Sequence, residues 1–401
     1  EKGALFQRDC GKKQKPPICV NGAGPRAGKL PPMRKKSSRC GGSFAPTSAF
    51  CYNDRKEIVF DNPKREGTTM RDTIRWGVMG TGWIAEKFCG ALRSLEGYGA
   101  QLYAVGSRKK ETADAFAARH GFARAYGSYE ELAADPNVDV VYIATPHRFH
   151  LENALLCIRS GRAILCEKAF TVNGDEAEKI AQEAKARGVF AMEAFWPRFQ
   201  PLNRLLKKLI CEQKIIGDVR MLQVDFDKLE DWPDEHRIYN PELAGGTTLD
   251  LGIYTMSYAA YFLGADVRDI HAVATIGKGG VDDQCAIIAA HQSGALSVQT
   301  AALQTDGRRE ALFLGTRGRI RVPDFFKPPY LEIVDEKSGD TRRVEREPFL
   351  YNGYEYEAIE VMDCIRAGES QSRIMPLDES VALMRLLDRC RADFGFRYPF
   401  E

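Results

Sequence analysis

The stretch TIRWGVMGTGWIA, Thr73 to Ala85, decides the fold. Its first half is an apolar β-type run, and Gly80-Thr81-Gly82 then breaks the run and opens a helical pattern. A glycine at position 80 permits a tight turn, one at position 82 lets a large anion approach the backbone, and Ala85 allows close helix–strand packing. A phosphate would meet the free N–H groups and positive dipole end of the new helix. A tight turn built from small residues is the plain alternative, but the strand–turn–helix context favours a dinucleotide site spanning Gly80, Thr81, Gly82, Trp83 and Ile84.

The alternation continues downstream. Strands are predicted at 73–80, 100–107, 138–145, 163–166 and 189–192, with helices at 83–95, 110–120, 148–160 and 174–187 between them. Near-continuous Val, Ile and Tyr runs such as VDVVYIAT (138–145) fit strands buried on both faces, and so a parallel, doubly wound sheet. After Trp196 the pattern changes. A helix at 200–213 precedes β-type runs at 217–228, 268–277, 283–291, 295–304, 308–314 and 315–322, several joined by short turns. These predict an open, mostly antiparallel sheet. An amphipathic helix at 247–263 interrupts them, and helices at 355–367 and 377–394 close the chain. The fold class is therefore α/β, with an N-terminal parallel-sheet domain over 71–196 and a C-terminal α+β domain over 197–401, whose last helices pack back toward the first domain.

Residues 1–70 are of another kind. They hold 15 Lys and Arg against 6 Asp and Glu, whereas the remainder holds 42 against 49, so a basic tail precedes a mildly acidic body. Scattered Pro and Gly without a period of 2 or 3.6 predict disorder, and no apolar run makes the tail a secretory signal. The basic cluster MRKKSSR (33–39) reads as solvated before it reads as a nucleic-acid contact. The chain begins at Glu1, and Met70 directly precedes the first strand. Lys64-Arg65-Glu66-Gly67 is encodable by a purine-rich run of the kind that precedes a bacterial start codon, so residues 1–69 are expected not to be native. No window resembles a membrane span. The 11 cysteines show no metal-ligand spacing, which argues for free thiols in a reducing, cytoplasmic compartment. A zinc site in the tail is the weaker alternative, and no metal is expected in the body.

Residues with chemistry gather at the carboxyl ends of the predicted strands, where ligands of such sheets bind. The second strand ends in Ser107-Arg108-Lys109-Lys110. A carboxylate there would bind ribose hydroxyls, whereas cations suit a 2′-phosphate, so NADP is favoured over NAD, and a solvated basic loop is the plain alternative. Thr145 and Pro146 end the central strand, and His150 either faces the cofactor or caps the next helix. AILCEKAF (163–170) ends a buried strand in Glu167 and Lys168, facing the same crevice. A lysine there can hold a substrate hydroxyl, and partial burial would lower its pKa toward a useful range.

The glycine turn, ATPHRFH (144–150), CEKAF (166–170), MEAFWPRF (192–199) and LDLGIY (249–254) together resemble the glucose–fructose oxidoreductase / inositol dehydrogenase / rhizopine-catabolism family, in the pattern of its dihydrodiol and D-xylose dehydrogenase branch. The resemblance runs from Thr73 to Glu401. It implies a Rossmann domain and an NADP-dependent dehydrogenase acting on a sugar, cyclic polyol or trans-dihydrodiol. Lys168 matches the family's active-site lysine, with Ala169 where the family has proline. Asp250 and Tyr254 match a helix pair spaced by four, with Tyr where many members carry His. Trp196 and Arg198 match a segment that lines the nicotinamide, although Trp196 alone reads as core. On this basis Lys168 holds the reacting oxygen, Tyr254 is the acid/base activated by the nearby ammonium, and Asp250 orients substrate hydroxyls. The resemblance also implies a homodimer through the free sheet face. A reductase of another sugar or of a ketone is the enzymatic alternative, and a nucleotide-sensing regulator on the same fold is the non-enzymatic one, disfavoured by Lys168, Asp250 and Tyr254 occurring together.

Overall fold

The computed structural model describes residues 73–229, 232–233 and 235–401. The basic tail, its four cysteines and the expected start at Met70 lie outside the described residues.

The first half of the fold runs β1 (Ile74–Met79), α1 (Trp83–Ser94), β2 (Ala100–Gly106), α2 (Lys110–His120), β3 (Arg124–Tyr126), α3 (Tyr129–Ala134), β4 (Val140–Ile143), α4 (His150–Arg159), β5 (Ala163–Glu167), α5 (Gly174–Arg187) and β6 (Ala191–Ala194). Its six strands pair in parallel in the order β3-β2-β1-β4-β5-β6. The order reverses between β1 and β4, so their carboxyl ends open a crevice. β1, β4 and β5 are buried almost throughout, as the continuous apolar runs require. Behind the crevice Phe88 stacks on Tyr142 at 3.8 Å between centroids, with Trp76 edge-on to Phe88. Each such buried aromatic contributes about 1.5–3 kcal/mol.

The second half runs α6 (Pro201–Lys207), β7 (Val219–Asp227), α7 (Ile253–Leu263), β8 (Val267–Ile276), β9 (Asp282–His291), β10 (Leu296–Ala302), β11 (Ala311–Gly315), β12 (Gly318–Val322), β13 (Tyr330–Asp335), β14 (Thr341–Glu345), α8 (Glu355–Ala367) and α9 (Leu377–Asp393). The eight-stranded order is β14-β13-β12-β11-β7-β10-β9-β8, antiparallel except for the parallel pair β7–β10. One face of this sheet packs on α7, burying Leu222, Val224, Ile287 and Ala289. The other is open, and Val273 (70% exposed), Ile288 and Leu296 stand on it. α8 packs on α1 and α9 on α5.

The elements depart from the sequence expectation in places. The short β3 and α3 have no counterpart in the predicted pattern, nor do β13 and β14. α3 is nonetheless capped in a recognisable way, with Ser128 accepting from the Glu131 amide at 3.2 Å. The predicted helix 247–263 begins as a wide π-type turn over Thr248–Gly252, and only Ile253 onward is regular α-helix. The predicted helix 200–213 likewise ends in a π-type turn, Lys208–Glu212.

Candidate functional site

At the mouth of the crevice Gly80 has φ +104°, and a Cβ there would sit 2.8 Å from the Ala144 carbonyl oxygen. Only glycine fits such a close approach at a left-handed φ. Gly82 precedes α1 with no side-chain cap on the helix, and a Cβ at Gly82 would meet nothing within 4 Å. The 12-residue helix α1 thus presents uncapped N–H groups to open space, beside the exposed Trp83 and half-buried Thr81 and Ile84. This cradle fits a pyrophosphate. Ser107 is buried at the end of β2, and the next residue, Arg108, is exposed without an ion pair among the described residues. Thr145 and Pro146 follow β4 and are half-buried, with the Thr145 hydroxyl accepting from Asn153 at 3.0 Å.

Glu167 ends β5. Tyr142 donates its hydroxyl to Glu167 Oε1, and the Lys168 amide donates to Oε2 at 3.2 Å. A cis peptide bond joins Lys168 to Ala169, at the position where the family has proline. Lys168 Nζ donates to the Asp250 carbonyl at 2.9 Å and lies 3.9 Å from Asp250 Oδ1. Burial lowers the Lys168 pKa from the usual lysine value, opposed by Asp250 and Glu167. Arg237, which the sequence reading missed, grips Asp250 with two hydrogen bonds of 2.9 and 3.2 Å. Burial pushes Asp250 up, but Arg237, His147 and Lys168 outweigh it and hold the carboxyl below the usual range. Nothing in the chain pattern marks Arg237, because it opens a three-residue 3₁₀ turn, Arg237–Tyr239, too short to carry a period.

Tyr254 accepts a 3.2 Å hydrogen bond from Trp196 Nε1. The ammonium expected to activate Tyr254 meets the ring of that residue. Lys168 Nζ lies over the Tyr254 ring, 4.9 Å from the centroid, and burial followed by Glu167 raises the phenol above its ordinary pKa. Trp196 stacks on Tyr354 at 4.6 Å, and Phe226 and Phe326 stack at 4.8 Å beside Tyr254. The sequence reading did not single out Tyr354, Phe226 or Phe326, whose spacing in the chain is that of ordinary core.

Two further expectations change. His150 is fully buried, with Nε2 2.8 Å from the Thr145 carbonyl and Nδ1 2.9 Å from that of Ala169. It neither faces the crevice nor caps a helix; it ties the Thr145 turn to the segment after Lys168. His147 does the same between the Lys168 and Ala244 carbonyls, at 3.1 Å each. Arg198, expected at the nicotinamide, is 1% exposed. It pairs with Glu379 at 2.7 Å and donates to the Ser257 carbonyl at 2.9 Å. It is a buried clamp between the segment after β6, α7 and α9.

The comparisons with known proteins fall on these elements. Residues 74–195 match the model of the GFO_IDH_MocA oxidoreductase family, NAD-binding Rossmann fold, and residues 204–321 match the GFO/IDH/MocA C-terminal domain. The chain is 36% identical over 330 residues to the trans-1,2-dihydrobenzene-1,2-diol dehydrogenase of Mus musculus, covering 81% of this chain and 98% of that one. It is 33% identical over 369 residues to the D-xylose 1-dehydrogenase (NADP(+)) of Hypocrea jecorina, covering 82% and 93%. Among solved structures, KijD10, a 3-ketoreductase from Actinomadura kijaniata in complex with NADP and TDP-benzene, superposes with a TM-score of 0.72 at 25% identity, covering 80% of this chain and 98% of that one. A levoglucosan dehydrogenase in complex with NADH shares the fold, with a TM-score of 0.74 at 20% identity and coverage of 80% and 97%.

Proposed function

This chain belongs to the GFO/IDH/MocA oxidoreductase family, and from that premise we propose that it is an NADP-preferring dehydrogenase oxidising a secondary alcohol of a sugar, cyclic polyol or trans-dihydrodiol. The observation that carries the reading is Lys168 Nζ on Asp250, at the strand end beside the glycine cradle. Gly80, Thr81, Gly82, Trp83 and Ile84 would hold the pyrophosphate, Ser107 and Arg108 the 2′-phosphate, and Thr145, Pro146 and Glu167 the nicotinamide half. The unpaired Arg108 and the absence of a carboxylate at the end of β2 support NADP over NAD.

When bound, the nicotinamide supplies the hydride-accepting chemistry. The chain handles the proton. Lys168 has its pKa lowered by burial and Tyr254 has its raised, so Lys168 is the group that gives up and regains a proton most easily. Lys168 takes the proton of the alcohol hydroxyl, and Tyr254 stays neutral and donates a hydrogen bond to the same oxygen. Asp250, fixed by Arg237, holds the lysine in place and orients neighbouring hydroxyls. The aromatic walls of Trp196, Tyr254, Phe226 and Phe326 suit the apolar face of a ring.

The open sheet face with Val273, Ile288 and Leu296 supports a homodimer. No helix among the described residues is long and apolar enough to cross a membrane. The seven described cysteines are unpaired, which supports a cytoplasmic setting.

The test is nicotinamide reduction by the full chain, followed by absorbance, with NADP+ and NAD+ across D-xylose, a cyclic polyol and a trans-dihydrodiol. Turnover of at least one alcohol, faster with NADP+, is expected. Tight NADP+ binding without turnover of any of them would overturn the dehydrogenase reading.

A further inference from the structure

Glu357 is a buried acidic side chain near the site that the mechanism above leaves unused. It lies in the first turn of α8, is fully buried, and neither of its carboxyl oxygens has a hydrogen-bond partner. Its neighbour Glu355 is also buried but accepts the amides of Tyr351, Asn352 and Gly353 at 3.0, 3.1 and 2.7 Å. That contrast separates a helix cap from an orphan. Glu357 lies one helical turn after Tyr354, which stacks on Trp196 of the site at 4.6 Å, and the groups whose charge it feels or affects are Glu167 on β5, Tyr142 on β4, Tyr254 on α7, and Tyr354 and Glu355 at the start of its own helix. No cation is among them.

A carboxylate in such surroundings has neither a donor nor a counter-charge to replace its lost hydration, so the group keeps its proton. Burial raises it well above the usual carboxyl range, and Glu167 and then Glu355 add to the effect. Glu167 differs. Burial raises it too, but the Tyr142 hydroxyl and Lys168 favour its ionised form.

We propose that Glu357 is a positioning residue that stands behind Glu167 as an uncharged carboxylic acid, so that it adds no further negative charge beneath a lysine that already lies beside the Asp250 and Glu167 carboxyl groups. The proposal rests on the Lys168 chemistry above. A further carboxylate charge, added to those of Asp250 and Glu167, would hold Lys168 protonated more firmly. Without that added charge, the burial of Lys168 keeps its pKa low enough for it to exchange a proton with the substrate oxygen. Glu357 touches neither the substrate nor the cofactor, and acts through Glu167.

The experiment is infrared difference spectroscopy of the cofactor-free full chain, wild type against Glu357→Gln, from neutral to mildly alkaline pH. The expected result is a protonated-carboxyl C=O band, absent in Glu357→Gln and displaced in Glu167→Gln because the two groups face each other. Glutamine copies a neutral acid, so Glu357→Gln should keep kcat/KM within about threefold and leave its pH profile in place, whereas Glu357→Leu, which loses the polar group, should lower kcat by about tenfold with little change in KM. The absence of that band at neutral pH, or a pH profile displaced in Glu357→Gln, would overturn the proposal. The band does not depend on turnover, so a present band in a protein that oxidises none of the alcohols would count against the dehydrogenase reading and leave Glu357 as assigned.

Discussion

Lys168 Nζ lies over the face of the Tyr254 ring, 4.9 Å from its centroid, while the Tyr254 hydroxyl is engaged by Trp196 Nε1. The two side chains meet through the ring and not through the hydroxyl. An ammonium over an aromatic face gains about 0.5–2 kcal/mol, which steadies the lysine without tying up its protons. The lysine and the phenol therefore have separate tasks, and their variants should separate in the same way.

Lys168→Met should lower kcat by about 10²–10⁴-fold, the usual contribution of a positioned acid or base. The affinity for NADP+, measured by fluorescence titration, should change little. Tyr254→Phe keeps the ring under the ammonium and should retain more turnover than Lys168→Met.

The pH dependence follows from the direction of the lysine shift. Oxidation needs Lys168 neutral, so kcat/KM for the alcohol should rise with pH through the Lys168 pKa, at a point below the usual lysine value. Reduction of the matching ketone should fall over the same interval. A rise that tracks an unshifted lysine would show that the burial of Lys168 is relieved when substrate binds.

Arg237→Ala leaves the buried Asp250 carboxylate with Lys168 as its remaining close cation. Removing one partner of a fully buried pair costs about 3–5 kcal/mol, and the value here should be nearer 2 kcal/mol because Arg237 is 38% exposed. In the wild type the folded-state pKa of Asp250 is depressed, so its stabilisation is present above the unfolded value and is lost as pH falls through the folded one. The variant raises that folded pKa, so acid unfolding followed by circular dichroism should begin at a higher pH.

Arg108→Ala should weaken NADP+ by about 10–100-fold, the worth of a charge-assisted contact, and leave NAD+ nearly unchanged. Comparing the two dissociation constants checks this. Equal losses would mean that Arg108 does not distinguish the cofactors.

Arg198→Ala should behave as a structural variant. It strands the Glu379 carboxylate and removes donors to Ser257, so the melting temperature should drop while the cofactor affinity of the folded fraction is kept. Loss of NADP+ affinity without loss of stability would return Arg198 to the binding site.

The parallel half of the fold was legible because strands buried on both faces must be written as unbroken apolar runs, and β1, β4 and β5 are. β3 has three residues and β14 is almost wholly exposed, so neither carries a period to detect. Positions in the site were legible for the same reason: strand ends mark the crevice, and Lys168, Glu167 and Thr145 are at strand ends. Side-chain direction was not. His150 and Arg198 sit in the same short motifs as the crevice residues, yet each turns into the protein, because buried carbonyls and Glu379 offer partners that the linear pattern does not reveal. Arg237 was invisible for the opposite reason, since a residue in an isolated 3₁₀ turn reaches its partner only through the folded path of the chain.

The central position of β7 in the second sheet has a kinetic consequence. Val224 pairs with Gln299 of β10 on one side and Ala311 of β11 on the other, both far downstream. A strand whose two neighbours are made so much later must wait, with both edges bare, until synthesis has passed them. The parallel β7–β10 pair also requires a long crossover, and that crossover contains Arg237, Asp250 and Tyr254. The strands of the nucleotide half are complete by Ala194, whereas the partners of Lys168 on the crossover are fixed in place only after β10 and β11 have been made.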